Sequence, residues 1–354
     1  MGDAMKKKRL WTRLLAIGAC ALLIFGGTAL VFNPKNGDSQ VPYSLYGMEQ
    51  NTVDVGFFGG SHGLNAFCPN ILWQDHHIRA VNYCTSGQPL FLTYYVMVEA
   101  LKAQKLQVAV VDVYYAGLTT EWYEHDGYLR RVLDYMEYSD NWVQAVQHCV
   151  APSDRIYYYL NVLKYHASWA EFNPANLKNI FGQHFGEAPS YAYNLGWAGE
   201  SAAYGEDFTP VEQTDSRERI PAKSLEYLQK IIDLCRQNDI RLILTSLPHD
   251  YQLSYKPGEW ASSEYALYNS IGDLAAAHDV PFLRFNGLLD ELFFDERVDM
   301  YNNGHCSIQG ALKISDYLGD YIQTGGDVSI PAEADAALWE TYYARFSQEY
   351  AQYL

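Results

Sequence analysis

The chain has 354 residues, of which 49% are hydrophobic and 15% aromatic, and its formal net charge at pH 7 is −17. Residues 1–13 hold five basic groups against one acidic group, or +4, so the rest of the chain carries −21. A field of that sign repels nucleic acids and excludes them as partners held by long-range attraction. Any anionic polymer that the protein handles must therefore be held by local contacts. The length suffices for one large domain with a substantial core.

An uncharged apolar run over residues 14–32 follows a basic cluster at residues 6–9. The run is close to the ~20 residues of a membrane-spanning helix. The basic cluster predicts a single-pass signal anchor in the cell membrane, with residues 1–13 in the cytoplasm and the following chain outside it. A cleaved signal peptide is the alternative, because residues 27–29 partly offer a small-residue exit, and Cys20 gives only a faint lipoprotein signal. Residues 33–46 are predicted to be a polar linker.

Alternating strand and helix patterns fill the remaining chain. Short apolar runs with clustered β-branched residues predict strands ending near residues 58, 84, 113, 247 and 285. Amphipathic spacing predicts helices over residues 64–78, 90–104, 223–238, 262–278, 307–323 and 333–353. This order predicts an α/β fold with a doubly wound parallel sheet over residues 47–325, followed by a helical tail over residues 326–354.

Residues 116–220 interrupt the alternation. They are rich in tyrosine, tryptophan and glycine, and they predict a partly helical insertion over the carboxyl edge of the sheet. Such aromatic side chains suit stacking on sugar rings, and they equally suit packing in a core or against a membrane.

The cysteines and most of the histidines carry no pattern of their own. Beyond Cys20 the five cysteines are odd in number and widely spread, which predicts buried thiols rather than a disulfide framework, although a bridge from Cys68 to Cys84 is conceivable. No spacing typical of a metal site occurs, and no metal or cofactor is expected. His76 and His77 are predicted to be polar helix surface.

One serine lies on a sharp turn. In the run VDVGFFGGSHG, residues 53–63, an apolar strand ends in two glycines and delivers Ser61 before a helical segment. Open α/β sheets bind their ligands at the carboxyl ends of their strands. The glycines permit a tight turn and the close approach of a substrate. An ordinary strand-to-helix turn is the alternative interpretation.

A histidine near the other end of the chain is predicted to lie at the same edge. His305 follows the last predicted strand and precedes the last helix of the domain. A serine hydroxyl is a weak nucleophile that needs a base within hydrogen-bond reach, and that base needs an acceptor to hold its tautomer. The sequence therefore predicts that Ser61 and His305 meet. His249 is a lesser candidate for the same site.

These motifs resemble those of the SGNH, or GDSL-like, hydrolase superfamily over most of residues 50–325. The motifs are FGGSH around Ser61, NYCTSGQ around Gly87, and a late histidine, His305, followed by Gly310. With the membrane anchor they look especially similar to exported single-pass proteins of Gram-positive bacteria related to DltD, which acts in teichoic-acid D-alanylation. Proteins of alginate and peptidoglycan O-acetylation are more distant likenesses.

The resemblance implies roles for individual residues. Ser61 would be the nucleophile and His305 the general base. Backbone N–H groups of Ser61 or His62 and of Gly87 would form the oxyanion hole, and Gln88 would lie beside them at the substrate. The family has aspartate three residues before its histidine, where this chain has Asn302. Asp299 could substitute for that aspartate by reaching back along the loop.

A second family motif, a G-x-N-D block, is also missing. After Val113, where the family pattern places it, the chain offers only Asp112 and Tyr114. Asparagine can accept a hydrogen bond from imidazole, but it brings no charge to stabilise the imidazolium.

The resemblance implies a membrane-anchored, extracytoplasmic serine esterase or acyltransferase. Its partner would be a cell-envelope polysaccharide or a polymer like teichoic acid. The alternative is a catalytically impaired SGNH fold that serves as a binding or assembly partner of a membrane O-acyltransferase. Asn302 is the residue that keeps this alternative open.

Overall fold

The computed structural model describes residues 2–31, 41–167, 192–251, 260–326, 328 and 333–354. The chain divides into two compact units, of which the first includes Met1–Ser39 and Ala151–Glu187 and the second Gln40–Val150 and Ala188–Leu354.

The second unit is built on a parallel sheet of five strands. The strands are β1 (Val55–Phe58), β2 (Ala80–Asn82), β3 (Val108–Asp112), β4 (Arg241–Ser246) and β5 (Phe282–Arg284). Their spatial order is β2-β1-β3-β4-β5, and every neighbouring pair is parallel. The predicted α/β class is confirmed, and this strand order is one that doubly wound domains have.

Helices of the second unit connect its strands and cover its sheet. In chain order the α-helices of the described residues are α1 (Gly2–Val31), α2 (Val41–Tyr46), α3 (Ser61–Ala66), α4 (Pro69–His76), α5 (Leu90–Ala100), α6 (Asp126–Leu133), α7 (Asp140–Cys149), α8 (Ile156–Tyr159), α9 (Asn161–Tyr165), α10 (Ala222–Gln237), α11 (Glu264–Ala277), α12 (Glu296–Asp299), α13 (Ile308–Thr324) and α14 (Glu333–Glu349). Of these, α1, α8 and α9 belong to the first unit. All residues of β1 and β3 are buried. Both faces of the sheet are therefore covered, as parallel sheets require.

The helix predicted over residues 64–78 is two helices. Pro69 begins α4 because it lacks an N–H group and its fixed φ suits a first helical turn. His77 ends α4 in the left-handed region, with φ of 53°. His76 was predicted to be surface, and this is wrong: it is buried, and its Nε2 lies 3.0 Å from Asp316 of α13.

The structure describes two helices in the segment before the sheet. Helix α1 covers the predicted membrane span except residue 32, which lies outside the described residues. Among the residues that the structure describes, no helix is both long enough and apolar enough to cross a membrane. Of the predicted linker, residues 33–40 lie outside the described part, and residues 41–46 form helix α2.

The predicted insertion is partly helical, as expected. Residues 116–167 include α6 to α9, and residues 168–191 lie outside the described residues. In the first unit α9 contacts α1. In the second unit, Trp197 is fully buried and donates from Nε1 to the Asn65 carbonyl at 2.7 Å, so this aromatic residue serves the core.

The cysteines are all free. Cys68 and Cys84 are both buried thiols, so the conceivable bridge between them is not formed. The thiol interpretation of the sequence is confirmed, and the core uses these side chains as small apolar groups.

Asn82 at the end of β2 ties the sheet to α3. Its Nδ2 donates to the carbonyls of Gly63 and Phe67, each at 2.9 Å, and its Oδ1 accepts from the Cys84 N–H at 2.9 Å. The side chain is 1% exposed, so no water replaces these bonds. This single amide therefore fixes the helix that begins with Ser61.

Asn82→Ala should lower the free energy of unfolding by about 3 kcal/mol, because it leaves buried carbonyl groups without donors. Urea unfolding followed by circular dichroism measures the loss. The control is Asn238→Ala, an exposed asparagine at the end of α10 whose Nδ2 also donates to a carbonyl. Equal effects of the two substitutions would contradict the tie between Asn82 and α3.

Candidate active site

Ser61 occupies the turn between β1 and α3, as predicted. Gly59 has a φ of +149°, and a Cβ on it would lie 2.8 Å from the Cβ of Asp112. A Cβ on Gly60 would lie 2.6 Å from the ring of Tyr115. Only glycines allow the end of β1 to approach β3 this closely. Ser61, the first residue of α3, is left partly exposed.

His305 is delivered by a small hairpin that the sequence analysis did not predict. Strand β6 (Met300–Asn302) pairs antiparallel with β7 (His305–Cys306), and Asn302 lies opposite His305 in the register. Residues 303 and 304 make the turn. Because the two residues are paired within this short hairpin, the side chains of Asn302 and His305 meet through local structure alone.

The two predicted site residues meet. His305 Nε2 lies 2.8 Å from Ser61 Oγ, and His305 Nδ1 lies 2.9 Å from Asn302 Oδ1. These distances are those of hydrogen bonds within a nucleophile, base and acceptor constellation. The structure thus joins Ser61, His305 and Asn302 at the carboxyl edge of the sheet.

One backbone group fixes which atom of the Asn302 amide faces the imidazole. The Gly304 N–H donates to Asn302 Oδ1 at 2.9 Å. An N–H group can bond only to the amide oxygen, so Oδ1 is the atom shared with His305. Nδ1 of His305 must then carry the proton, which leaves Nε2 free to accept from the Ser61 hydroxyl. This is the tautomer that a general base needs.

Two aromatic rings stack on the imidazole of His305. The ring of Tyr301 stacks on it with centroids 5.5 Å apart, and the ring of His62 stacks on it at 4.9 Å, each with an interplanar angle of 20°. Burial, with a smaller contribution from the positive charge of His249, lowers the pKa of His305 to about 4. At neutral pH the ring is therefore neutral and able to accept a proton.

Asp299 does not take the place predicted for it. It is 1% exposed, and its Oδ2 accepts from Lys313 Nζ at 2.6 Å and from the Asp295 N–H at 2.7 Å. Within the described chain no hydrogen bond joins Asp299 to His305. The ion pair with Lys313 of α13 holds the carboxylate at the base of the hairpin, so Asp299 cannot substitute for Asn302.

The predicted oxyanion groups are divided between the site and the core. Gly87 has a φ of +67°, and the Tyr128 ring leaves no room there for a Cβ. No hydrogen bond in the described residues uses the N–H of Ser61 or of Gly87, so both donors remain available. Gln88 is fully buried: its amide accepts from Thr85 and donates to Thr93. It therefore shapes the loop and does not face a substrate.

A buried polar cluster of Asp112, Tyr114, His249 and Glu264 lies behind Ser61 and His305. The sequence analysis predicted little of it: His249 was a lesser candidate, Asp112 and Tyr114 were assigned no role, and Glu264 carried no signal. His249 Nε2 lies 3.2 Å from Glu264 Oε2, and both side chains are at most 2% exposed. The position of Glu264 at the start of α11 depends on packing that no local pattern encodes.

Asp112 ends β3 beneath the serine turn. The Tyr114 N–H donates to its Oδ1 at 3.2 Å, and its Oδ2 is buried without a hydrogen-bond partner among the described residues. Burial raises the pKa of Asp112 to about 7. The nearby backbone N–H groups and the charge of His249 lower this pKa by less than burial raises it. At neutral pH the carboxyl group is therefore divided between its two protonation states.

The sequence matches no protein-family model and no curated protein. In the described residues, no group of three or more histidine, cysteine, aspartate or glutamate side chains is arranged to hold a metal ion. Fold and site together define a class: an α/β protein with a Ser–His–Asn constellation at the carboxyl edge of a parallel sheet.

Asp112→Asn should stabilise the folded protein most at alkaline pH. The folded pKa lies above the unfolded value, so ionisation opposes folding from pH 4 upward, and the full penalty is present above pH 7. A shift of this size corresponds to about 4 kcal/mol. Urea unfolding of variant and wild type at pH 5 and pH 8 measures the difference, and a stabilisation that is equal at both pH values would contradict the assignment.

Proposed function

We propose that this protein is an SGNH-type serine esterase or O-acyltransferase that acts on acyl groups of a cell-envelope polymer. The observation that carries the proposal is the hydrogen-bonded series from Ser61 Oγ through His305 to Asn302, with the proton on Nδ1. The order of the motifs along the chain supports the same class. The setting outside the cytoplasm stays a prediction from the sequence of residues 6–32.

The first half of the reaction forms an acyl-enzyme. Ser61 Oγ attacks the acyl carbonyl carbon while its proton passes to His305 Nε2. The N–H groups of Ser61 and Gly87 donate to the oxyanion, and such donors are typically worth ~3 kcal/mol each in the transition state. The bond from the carbonyl carbon to the leaving oxygen then breaks, and His305 returns the proton to that oxygen.

The second half releases the acyl group. Water or a sugar hydroxyl gives its proton to His305 and attacks the acyl carbon. The bond to Ser61 Oγ breaks, and the serine recovers the proton from His305. Water makes the protein an esterase, and a sugar hydroxyl makes it a transferase.

Asn302 modifies this reaction without preventing it. In a serine protease, asparagine in place of the triad aspartate lowers turnover by roughly 10⁴, because the imidazole adopts the wrong tautomer. Here the Gly304 N–H turns the amide oxygen toward Nδ1, so that part of the loss does not apply. What Asn302 lacks is the negative charge that would stabilise the imidazolium, and we expect a slow base.

A binding or assembly partner of a membrane O-acyltransferase is the second candidate function. The neutral Asn302 favours it, because a site that only binds an acyl chain or a sugar needs no charge beside His305. The next experiment separates the two candidates.

Ser61→Ala should abolish labelling of the full chain by a fluorophosphonate probe and the hydrolysis of 4-nitrophenyl acetate. The Ser61 oxygen displaces fluoride at phosphorus while His305 takes the proton, so labelling reports nucleophile and base together. Mass spectrometry of the labelled protein measures the labelling rate and identifies the labelled residue. The matched control is Ser86→Ala, which removes a neighbouring serine beside Gly87 and should label as the wild type does.

A wild type that is as unreactive as Ser61→Ala would contradict the esterase. If the unreactive wild type still bound acylated polymer fragments, the second candidate function, a binding or assembly partner of a membrane O-acyltransferase, would be favoured.

Asn302→Asp should accelerate labelling about tenfold at pH 8, because a carboxylate beside Nδ1 stabilises the imidazolium and raises the pKa of His305. Asn302→Leu should slow labelling, since it removes the acceptor that holds the tautomer. The pH profile of the labelling rate measures both effects, and its acid limb should move to higher pH in Asn302→Asp. An Asn302→Leu variant as fast as the wild type would show that the acceptor has no role.

A further inference from the structure

A buried ion pair lies behind the proposed base. His249 follows β4, and Glu264 is the first residue of α11, whose N-cap is Ser263. The side chains of His249 and Glu264 are 1% and 2% exposed. Buried ionisable groups are rare unless they are paired, and keeping such a pair in a core requires compensation. The Ser–His–Asn constellation does not contact Glu264, so the proposed reaction leaves this pair without a role.

The partners of His249 fix its protons. Its Nδ1 lies 2.8 Å from the Leu247 carbonyl oxygen, which can only accept, so Nδ1 carries a proton. Its Nε2 lies 3.2 Å from Glu264 Oε2, and one further proton lies between these atoms. Burial alone would lower the pKa of His249, but Glu264, the Leu247 carbonyl and Asp112 together raise it. The pairing with Glu264 therefore favours the imidazolium form of the ring.

Packed rings connect this pair to His305. The His249 ring meets the ring of His62 edge to face, with centroids 5.4 Å apart. His62 in turn stacks on His305 at 4.9 Å and packs on Tyr114 at 3.8 Å. The ring of His249 also packs on the ring of Tyr114, with centroids 5.3 Å apart. A change in the pair therefore reaches the base through one intervening ring.

We propose that the His249–Glu264 pair is a positioning element of the active site, which holds the His305 ring toward Ser61 through His62 and keeps that ring unprotonated. The inference rests on the proposed function, in which His305 is the base. His249 and Glu264 touch neither the nucleophile nor the acceptor, so their effect passes through His62 and through the field of the charged imidazolium.

The sign of the effect follows from the groups around the two rings. The charge of His249 disfavours a second positive charge on His305, and it adds to the burial that brings the pKa of His305 to about 4. The titratable groups that face His305 are His62, Tyr301 and His249. Those that face His249 are Glu264, Asp112, His62, Tyr114, Tyr251 and Tyr268. Removing the charge on His249 should therefore raise the pKa of His305.

Two variants of the full chain test this. His249→Gln removes the imidazolium directly. Glu264→Gln removes its counter-charge, so that His249 becomes neutral near pH 7. Each should raise the pKa of His305 by about half a unit, less than the shift that a charge within 4–6 Å produces, because the ring of His62 lies between the two imidazoles. Glu264→Asp, which keeps a carboxylate, should restore most of the wild-type value.

The measurement is an NMR titration of histidines labelled with ¹³C at Cε1, with the His305 signal assigned from His305→Gln. His76→Gln is the matched control, because His76 is also a buried histidine beside a carboxylate but lies between α4 and α13. It should leave the His305 titration unchanged. The acid limb of the fluorophosphonate labelling rate should move with the titration in each variant.

Loss of labelling that is equal at all pH values, with the titration of His305 unmoved, would overturn the proposal and leave the pair a purely structural role. If His249→Gln does not fold, Glu264→Gln and Glu264→Asp decide the question. The titration needs no turnover, so a wild type that fails to label would contradict the proposed function while the NMR result still tests the pair.

Discussion

The close approach of β1 and β3 at their carboxyl ends is the constraint on which the site depends. Gly59 and Asp112 lie so near each other that a Cβ on Gly59 would be 2.8 Å from the Cβ of Asp112. In the order β2-β1-β3-β4-β5 these two strands lie where the chain reverses its direction across the sheet, and such points bind ligands in open α/β sheets. Ser61 sits above this junction, and the buried polar cluster lies below it.

Residues from four distant parts of the chain converge there because parallel strands end at one edge. β1 delivers Ser61, β3 delivers Asp112, β4 delivers His249, and the hairpin after β5 delivers His305. The protonation states form a consistent set: the Gly304 N–H orients the Asn302 amide, the amide oxygen holds the Nδ1 proton of His305, and Nε2 faces the serine. These hydrogen bonds hold the neutral Ser61, His305 and Asn302 side chains in one fixed order.

How much of this was predictable differs from element to element. The strand that ends at Asp112 and the serine turn were predicted because clustered β-branched residues and paired glycines act locally. The meeting of Ser61 and His305 followed from the rule that parallel strands share an edge. The β6–β7 hairpin was missed because strands of two or three residues are too short to show a period.

Three further errors concern charges that are paired across the fold. Asp299 was a candidate acceptor because it precedes His305 in sequence, yet Lys313 on the next helix binds it. His76 was assigned to the surface because nothing near it in sequence would cover it, and α13 does so through Asp316. Glu264 was missed for the same reason, since its partner His249 lies on another element.

The hydrogen bond from Gly304 to Asn302 also bears on how such a site can evolve. Asparagine and aspartate codons differ by a single base, and both side chains present an oxygen to the Gly304 N–H and to His305. One base change can therefore exchange a neutral acceptor for a charged one while the hairpin, the stacked rings and the serine turn keep their places. A lineage with this hairpin can change the charge beside His305 without rebuilding its fold.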